Sequence, residues 1–182
     1  MSGTKDLVWF FAYGSLMWRP GFEPDAMVAA EIQGHHRALC IRSTHYRGTA
    51  EVPGVVLGLA PGGSCTGRAL GVTPERADEV IAYLDARELI GSYVYDRLEV
   101  QARRLDTEQP VTAWTYVARA DHPDFLGDLP LPDLLHLIRQ GHGLAGSNVD
   151  YVRSTAAHLR EMGISDPLLD RVLAALDEGV AA

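Results

Sequence analysis

The spacing of apolar and polar positions changes several times along the chain, and each change predicts an element. Residues 7–13 form an unbroken apolar run that stops at Gly14-Ser15 and leaves through Leu16-Met17-Trp18-Arg19-Pro20. Val, Trp and Phe favour a buried pleated strand, and too few residues precede Gly14 for a good helix, so a central strand ending in a turn is expected. Residues 21–30 read as irregular. Residues 31–43 alternate, with His36, Ala38, Cys40 and Arg42 on one face and Arg37, Leu39 and Ile41 on the other, which predicts a second strand. Two apolar stretches, 55–60 and 65–72, flank Pro61-Gly62-Gly63, so a hairpin is expected there.

The period then becomes helical. Thr73 is the expected N-cap and Pro74 the first helical residue, Glu75 lies in the first turn, and Ala77, Val80, Ile81 and Leu84 supply a buried face. This helix runs down to Asp85-Ala86-Arg87-Glu88 and is over by Gly91-Ser92. Residues 93–104 and 111–118 read as antiparallel neighbours across a polar turn. A Pro-rich crossing over 121–132 leads to a short helix marked by Leu131, Leu134, Leu135 and Ile138. Ser147-Asn148-Val149-Asp150 opens another helix, with Val149, Val152, Ala156 and Leu159 inward, and Asp166-Pro167 opens the last, with Leu168, Leu169, Val172, Leu173 and Leu176 facing the core. Strands come first and helices last, which is the order of an α+β fold built on a largely antiparallel sheet or barrel.

Composition narrows the function classes. A chain of 182 residues without repeats or linker-like tracts fits a single domain, 1–182. The formal charge of −8 repels nucleic acid and anionic membrane, and all but one of the basic residues are arginines scattered along the chain. A small-molecule partner is the expectation, with no nucleic acid and no membrane. Cys40 and Cys65 are read as buried thiols in a reducing cytosol. No apolar run approaches the ~20 residues of a membrane span, and no leader is evident, so a cytoplasmic location is expected. His35 and His36 cannot share one metal ion, because adjacent strand residues point to opposite faces; no metal site and no cofactor are expected.

Two features carry candidate chemistry. One is the glycine turn after the first strand, where backbone N–H groups are free to converge on an anion or a carbonyl oxygen. The other is Glu88. The helix macrodipole favours cations at a C-terminus, so a carboxylate there is poorly placed for a purely structural role, whereas Arg87 suits the last turn's carbonyls. No Gly-x-Ser-x-Gly elbow or triad is present. A lone Glu working as a general base with backbone donors suits a reaction whose nucleophile comes from the substrate.

Four blocks, FAYGSLMWRPGF, HYRGTAEVPGVVLGLAPGGSCTG, YLDARELIGSY and TYVARADHPDFLG, in this order and spacing, resemble the ChaC family of γ-glutamylcyclotransferases over nearly all of residues 7–178. The resemblance implies a small barrel with flanking helices and cleavage of glutathione to 5-oxoproline and cysteinylglycine. It places the γ-glutamyl-holding loop on Tyr13, Gly14, Ser15 and Leu16, flanked by Ala12 and Met17, and the catalytic carboxylate on Glu88. Some members carry Arg-Glu-Lys-Gly-Gly-Tyr; here Arg87-Glu88 continues as Leu89-Ile90-Gly91-Ser92-Tyr93, a longer spacing similar to that of bacterial members. Tyr116 is either a pocket hydroxyl or a core tyrosine whose OH reaches a rim partner. Arg47 either pairs a substrate carboxylate or shapes its own loop. A monomer or homodimer is expected. A γ-glutamyl-peptide binding module without catalysis, and a cyclotransferase for other γ-glutamyl peptides or amines, remain open as alternatives.

Overall fold

The computed structural model describes residues 6–90 and 94–179. The contacts divide the chain into two compact units, Met1–Arg37 with Leu59–Arg119 and Ala38–Gly58 with Ala120–Ala182. The first is built on strands β1 (Val8–Ala12), β2 (Ala26–Ser43), β3 (Gly54–Val72), β4 (Tyr95–Arg104) and β5 (Pro110–Ala118), with helix α1 (Pro74–Glu88). β2 and β3 continue into the second unit. The strands close into a barrel in the order β1-β3-β2-β4-β5. β1 pairs antiparallel with β3 and parallel with β5, and β4 pairs antiparallel with both β2 and β5.

As the apolar run predicts, β1 is central, and four of its five residues are buried. Trp9 and Phe11 join one apolar cluster with Ile32, Leu59 and Val117, and the alanines Ala30, Ala69, Ala102 and Ala113 line the same cluster. Small residues beside two large rings let a narrow five-stranded barrel fill without voids. Phe10, on the opposite face, is also buried and meets Phe22 edge-on at 6.2 Å.

Two strand predictions need correction. β2 begins at Ala26, so five residues expected to be irregular are strand, Ala30 being fully buried. The expected hairpin at Pro61-Gly62-Gly63 does not exist, because 54–72 is one continuous strand. Gly62 and Gly63 both have positive φ, as does Gly34 in β2, and the His36 Nδ1 lies 2.9 Å from the Gly62 carbonyl. Glycines in this conformation absorb a local bulge without turning the chain back. Residues 91–93, which include the expected helix stop and the expected start of the next strand at Tyr93, lie outside the described residues.

The second unit contains α2 (Leu131–Gln140), a two-stranded ribbon of β6 (His142–Gly143) and β7 (Gly146–Ser147), α3 (Asn148–Glu161) and α4 (Pro167–Glu178). The three helices pack on one another. Ser147 caps α3 by accepting from the Asp150 N–H, and Asp166 caps α4 by accepting from the Leu169 N–H, both at 3.0 Å. Cys40 and Cys65 are free and buried, and burial pushes the Cys40 thiol up to about 12. No helix among the described residues is long and apolar enough to cross a membrane.

Candidate active site

β1 ends at Ala12, and the chain turns through Tyr13 and Gly14 into a 3-10 turn, Ser15–Met17. The Met17 N–H closes on the Gly14 carbonyl at 3.0 Å and the Arg19 N–H on the Ser15 carbonyl at 2.7 Å. A turn of this kind leaves its leading N–H groups, here those of Ser15 and Leu16, outside its own hydrogen bonds. The carbonyls are treated differently. Buried Arg37 of β2 donates Nε to the Tyr13 carbonyl at 2.6 Å while its Nη2 holds the Thr66 carbonyl at 2.7 Å. Arg68 of β3 donates to the Met17 carbonyl at 3.2 Å. Arg87 of α1 donates to the carbonyls of Arg19 and Pro20 at 2.8 and 3.4 Å, and to the Ser15 Oγ at 2.9 Å. Three guanidinium groups from three elements thus fix the loop by its acceptors and leave donors on it. They also make it electropositive.

Gly67 allows this approach. A Cβ there would stand 2.2 Å from the Ala12 carbonyl oxygen and 3.0 Å from Phe11 Cζ, so only glycine lets β3 lie this close to the end of β1.

α1 forms where expected, with Thr73 as N-cap and Pro74 first, although the Thr73 side chain makes no capping bond. Its N–H donates instead to Asp25 at 3.0 Å. Ala77, Val80 and Leu84 are buried, and the helix ends at Glu88, the Leu89 N–H closing on the Asp85 carbonyl at 2.9 Å. Arg87, expected on the helix's own last carbonyls, reaches across to the loop. Ser15, Arg19 and Pro20 present three acceptors within its span, which is better use of a planar fork than one frayed turn.

Glu88 is half-buried, with 23% of its side chain reaching solvent, and one carboxylate oxygen lies 3.4 Å from Arg87 Nε. Loss of water pushes its carboxyl above the ordinary range, and the Arg87 charge opposes that rise without cancelling it. The glycine turn and Glu88, found separately in the sequence, are therefore joined by Arg87, which touches both.

Tyr116 on β5 is 3% exposed and donates its hydroxyl to Asp85 Oδ1 at 2.7 Å. Burial and the Asp85 bond push its pKa upward, with Glu88 adding to the rise, so the phenol stays protonated. Arg97 of β4 pairs with Asp85 Oδ2 and lies over the Trp114 ring, 5.2 Å from its centroid. Arg47 belongs to the second unit. Its guanidinium donates to the Ser147 carbonyl at 3.2 Å and sits over the Tyr151 ring at 5.3 Å, and its N–H donates to Ser43 Oγ at 3.0 Å. Sequence reasoning missed Arg37, Arg68, Asp85 and Arg97. The one available signal was the near-absence of lysine, since forked hydrogen bonding to backbone is what arginine does and lysine does not.

Comparison with known proteins bears on the family and the fold. The family model of the ChaC-like protein matches residues 8–182. The glutathione-specific γ-glutamylcyclotransferase of Escherichia coli K12 is 33% identical over 175 residues, covering 96% of this chain and 74% of that one. Its mouse counterpart, glutathione-specific γ-glutamylcyclotransferase 1, is 34% identical over 165 residues, 88% of this chain and 73% of that one. The crystal structure of the glutathione-specific γ-glutamyl cyclotransferase from yeast superposes with a TM-score of 0.83 at 23% identity, over 94% of this chain and 96% of that one, a likeness of fold. With the family model spanning barrel and helices alike, and with relatives at this identity over most of their own lengths, the chain belongs to the ChaC-like protein family.

Proposed function

We propose that this protein is a glutathione-specific γ-glutamylcyclotransferase acting in the cytoplasm, converting glutathione to 5-oxoproline and cysteinylglycine with Glu88 as general acid and base. The observation that carries the reading is the Glu88 carboxylate: desolvated, only loosely paired, and joined by Arg87 to a loop whose Ser15 and Leu16 N–H groups lie outside the turn's own hydrogen bonds. The names of the E. coli and mouse relatives supply the substrate.

The reaction needs no enzyme-bound covalent intermediate. The α-ammonium of the γ-glutamyl group gives a proton to Glu88, and the freed nitrogen attacks the δ-carbonyl carbon of the same residue. A C–N bond forms and closes a five-membered ring, favoured by proximity. The tetrahedral intermediate collapses by breaking the amide bond to cysteine as Glu88 returns that proton to the departing nitrogen, and Glu88 then takes the ring nitrogen's second proton and passes it to the released amine, which leaves a neutral lactam and an ammonium. An ordinary Glu, pKa ~4.3, is too weak a base for this near neutrality. The upward push from burial acts in the direction the base needs.

The segment Ala12, Tyr13, Gly14, Ser15, Leu16 and Met17 holds the γ-glutamyl group. The Ser15 and Leu16 N–H groups take its α-carboxylate or the developing oxyanion, and the three arginines behind the loop favour either negative charge. Tyr116 keeps its proton on Asp85, so toward a ligand it presents only an acceptor lone pair, which suits the α-ammonium. The engagement of Arg47 by Ser147 and Tyr151 supports its loop-shaping role.

The test is a product assay over a panel of γ-glutamyl compounds: glutathione, other γ-glutamyl dipeptides and γ-glutamyl amines. The expected result is 5-oxoproline and cysteinylglycine in equal amounts from glutathione, with far slower release from the others. Free glutamate as product would identify a hydrolase, and tight binding without turnover would identify a binding module; either result overturns the reading.

A further inference from the structure

We infer that Asp85 is a positioning residue for the reaction, bolting the last turn of α1, and Glu88 with it, onto the β4–β5 ladder through Tyr116 and Arg97. This rests on the reading of Glu88 as the base.

The geometry is specific. Arg97 and Tyr116 are direct cross-strand partners in the β4–β5 register, so their side chains leave one rung of the sheet on the same face. Both end on the single Asp85 carboxylate, the phenol on Oδ1 at 2.7 Å and the guanidinium on Oδ2. The Arg97 guanidinium is itself seated on Trp114, one of the residues flanking that rung on its neighbour strand. Asp85 also supplies the carbonyl that closes the helix, accepting from Leu89 N–H at 2.9 Å, and Glu88 follows three residues on, on the same helical face. Among the described residues the helix end has no glycine cap; Leu89 at the C-cap position has φ −96°. A helix end without such a cap frays readily, and its last residue moves with it. Asp85 is the side chain that stops this.

The network also sets the charge around the base. Among the described residues, Arg87 on its own helix is the charge acting on Glu88, and the Glu88 charge is felt in turn by Tyr116 of β5; Asp85, one turn back on α1, binds both Tyr116 and Arg97 of β4, and Arg19 lies in the loop that Arg87 holds by its carbonyl. In the intact pair, the Asp85 and Arg97 charges offset each other near Glu88. Removing either one leaves the other uncompensated, and the two removals act in opposite directions on the carboxylate.

The test is steady-state kinetics of 5-oxoproline formation across pH for Asp85→Asn and Arg97→Gln. Asp85→Asn should lower kcat by roughly 10- to 100-fold with KM changed little, because a displaced base costs rate rather than affinity. Its unopposed Arg97 cation favours ionised Glu88, so the acid limb of kcat/KM moves to lower pH. Arg97→Gln leaves an unopposed Asp85 anion, and the acid limb moves to higher pH. A purely structural role would move neither limb. If Asp85→Asn does not fold, the upward shift in Arg97→Gln carries the test alone. Wild-type kcat with unmoved limbs, limbs moving in the same direction, or a loss confined to KM would overturn the inference. Failure of the underlying reading is read separately, as full activity in Glu88→Gln.

Discussion

Asn148 and Glu88 both stand at helix ends, Asn148 opening α3 in the helical unit and Glu88 closing α1 in the barrel unit, and their surroundings differ. Asn148 is fully buried and fully used: its Oδ1 accepts from the Val55 N–H at 2.7 Å and its Nδ2 donates to the Val55 carbonyl at 2.8 Å, as a neighbouring strand would. Nearby backbone closes around it, with Gly54 so near that an added Cβ there would stand 2.6 Å from the Asn148 Oδ1. Glu88 has lost most of its water and, among the described residues, has Arg87 at 3.4 Å as its one charged partner. A buried polar group satisfied at both ends stabilises a fold, whereas a desolvated carboxylate held loosely is costly and is kept for chemistry.

The contrast fails first if Glu88 proves to be structural. Glu88→Gln should lower kcat by roughly 10²- to 10⁴-fold while glutathione binding persists, read by product assay and calorimetry. It should also change stability in a pH-dependent way. The folded pKa of Glu88 is raised, so the stability linked to its protonated form is present below the unfolded pKa and is lost as pH rises through the folded value. Thermal melts should therefore show Glu88→Gln more stable than wild type at neutral pH, with the advantage fading as pH falls into the ordinary carboxylate range.

At Asn148 the expectation reverses. Asn148→Ala strands the Val55 N–H and carbonyl, costing about 2–5 kcal/mol for two buried groups, measurable by denaturant unfolding. Activity per folded molecule should survive. A milder test lies in the loop. Gly67→Ala drives a Cβ against the Ala12 carbonyl and should raise KM about tenfold by shifting the loop. Ser15→Ala removes one of the three bonds from Arg87 to the loop and leaves its carbonyl partners, so KM should rise only a few-fold, under about 1 kcal/mol and below the ~1.5–3 kcal/mol of a hydrogen bond to a charged group lost without replacement.

The elements were legible wherever one local rule decided them. The Thr73-Pro74 start, the spacing of Ala77, Val80 and Leu84, and the apolar run of β1 each hold information within a few residues. Glu88 was legible because the macrodipole makes a carboxylate at that end conspicuous. The Pro61-Gly62-Gly63 stretch misled, since a bulge and a hairpin turn ask for the same positive-φ glycines and only the partner strand tells them apart. β6 and β7 are too short to leave a period. The arginine clasp around the loop and the Asp85–Tyr116–Arg97 network depend on strand register: Arg37 lies 24 residues from Tyr13, Arg87 lies 72 from Ser15, and Tyr116 lies 31 from Asp85. No local pattern carries such pairings.

The pH dependence of kcat/KM for 5-oxoproline release from glutathione tests whether Glu88 is the base. The rate should rise with pH through one ionisation lying above the usual Glu range, with Glu88→Gln lacking the activity that this ionisation controls. An acid limb at the ordinary Glu value, or the same limb and a near-normal rate in Glu88→Gln, would contradict it.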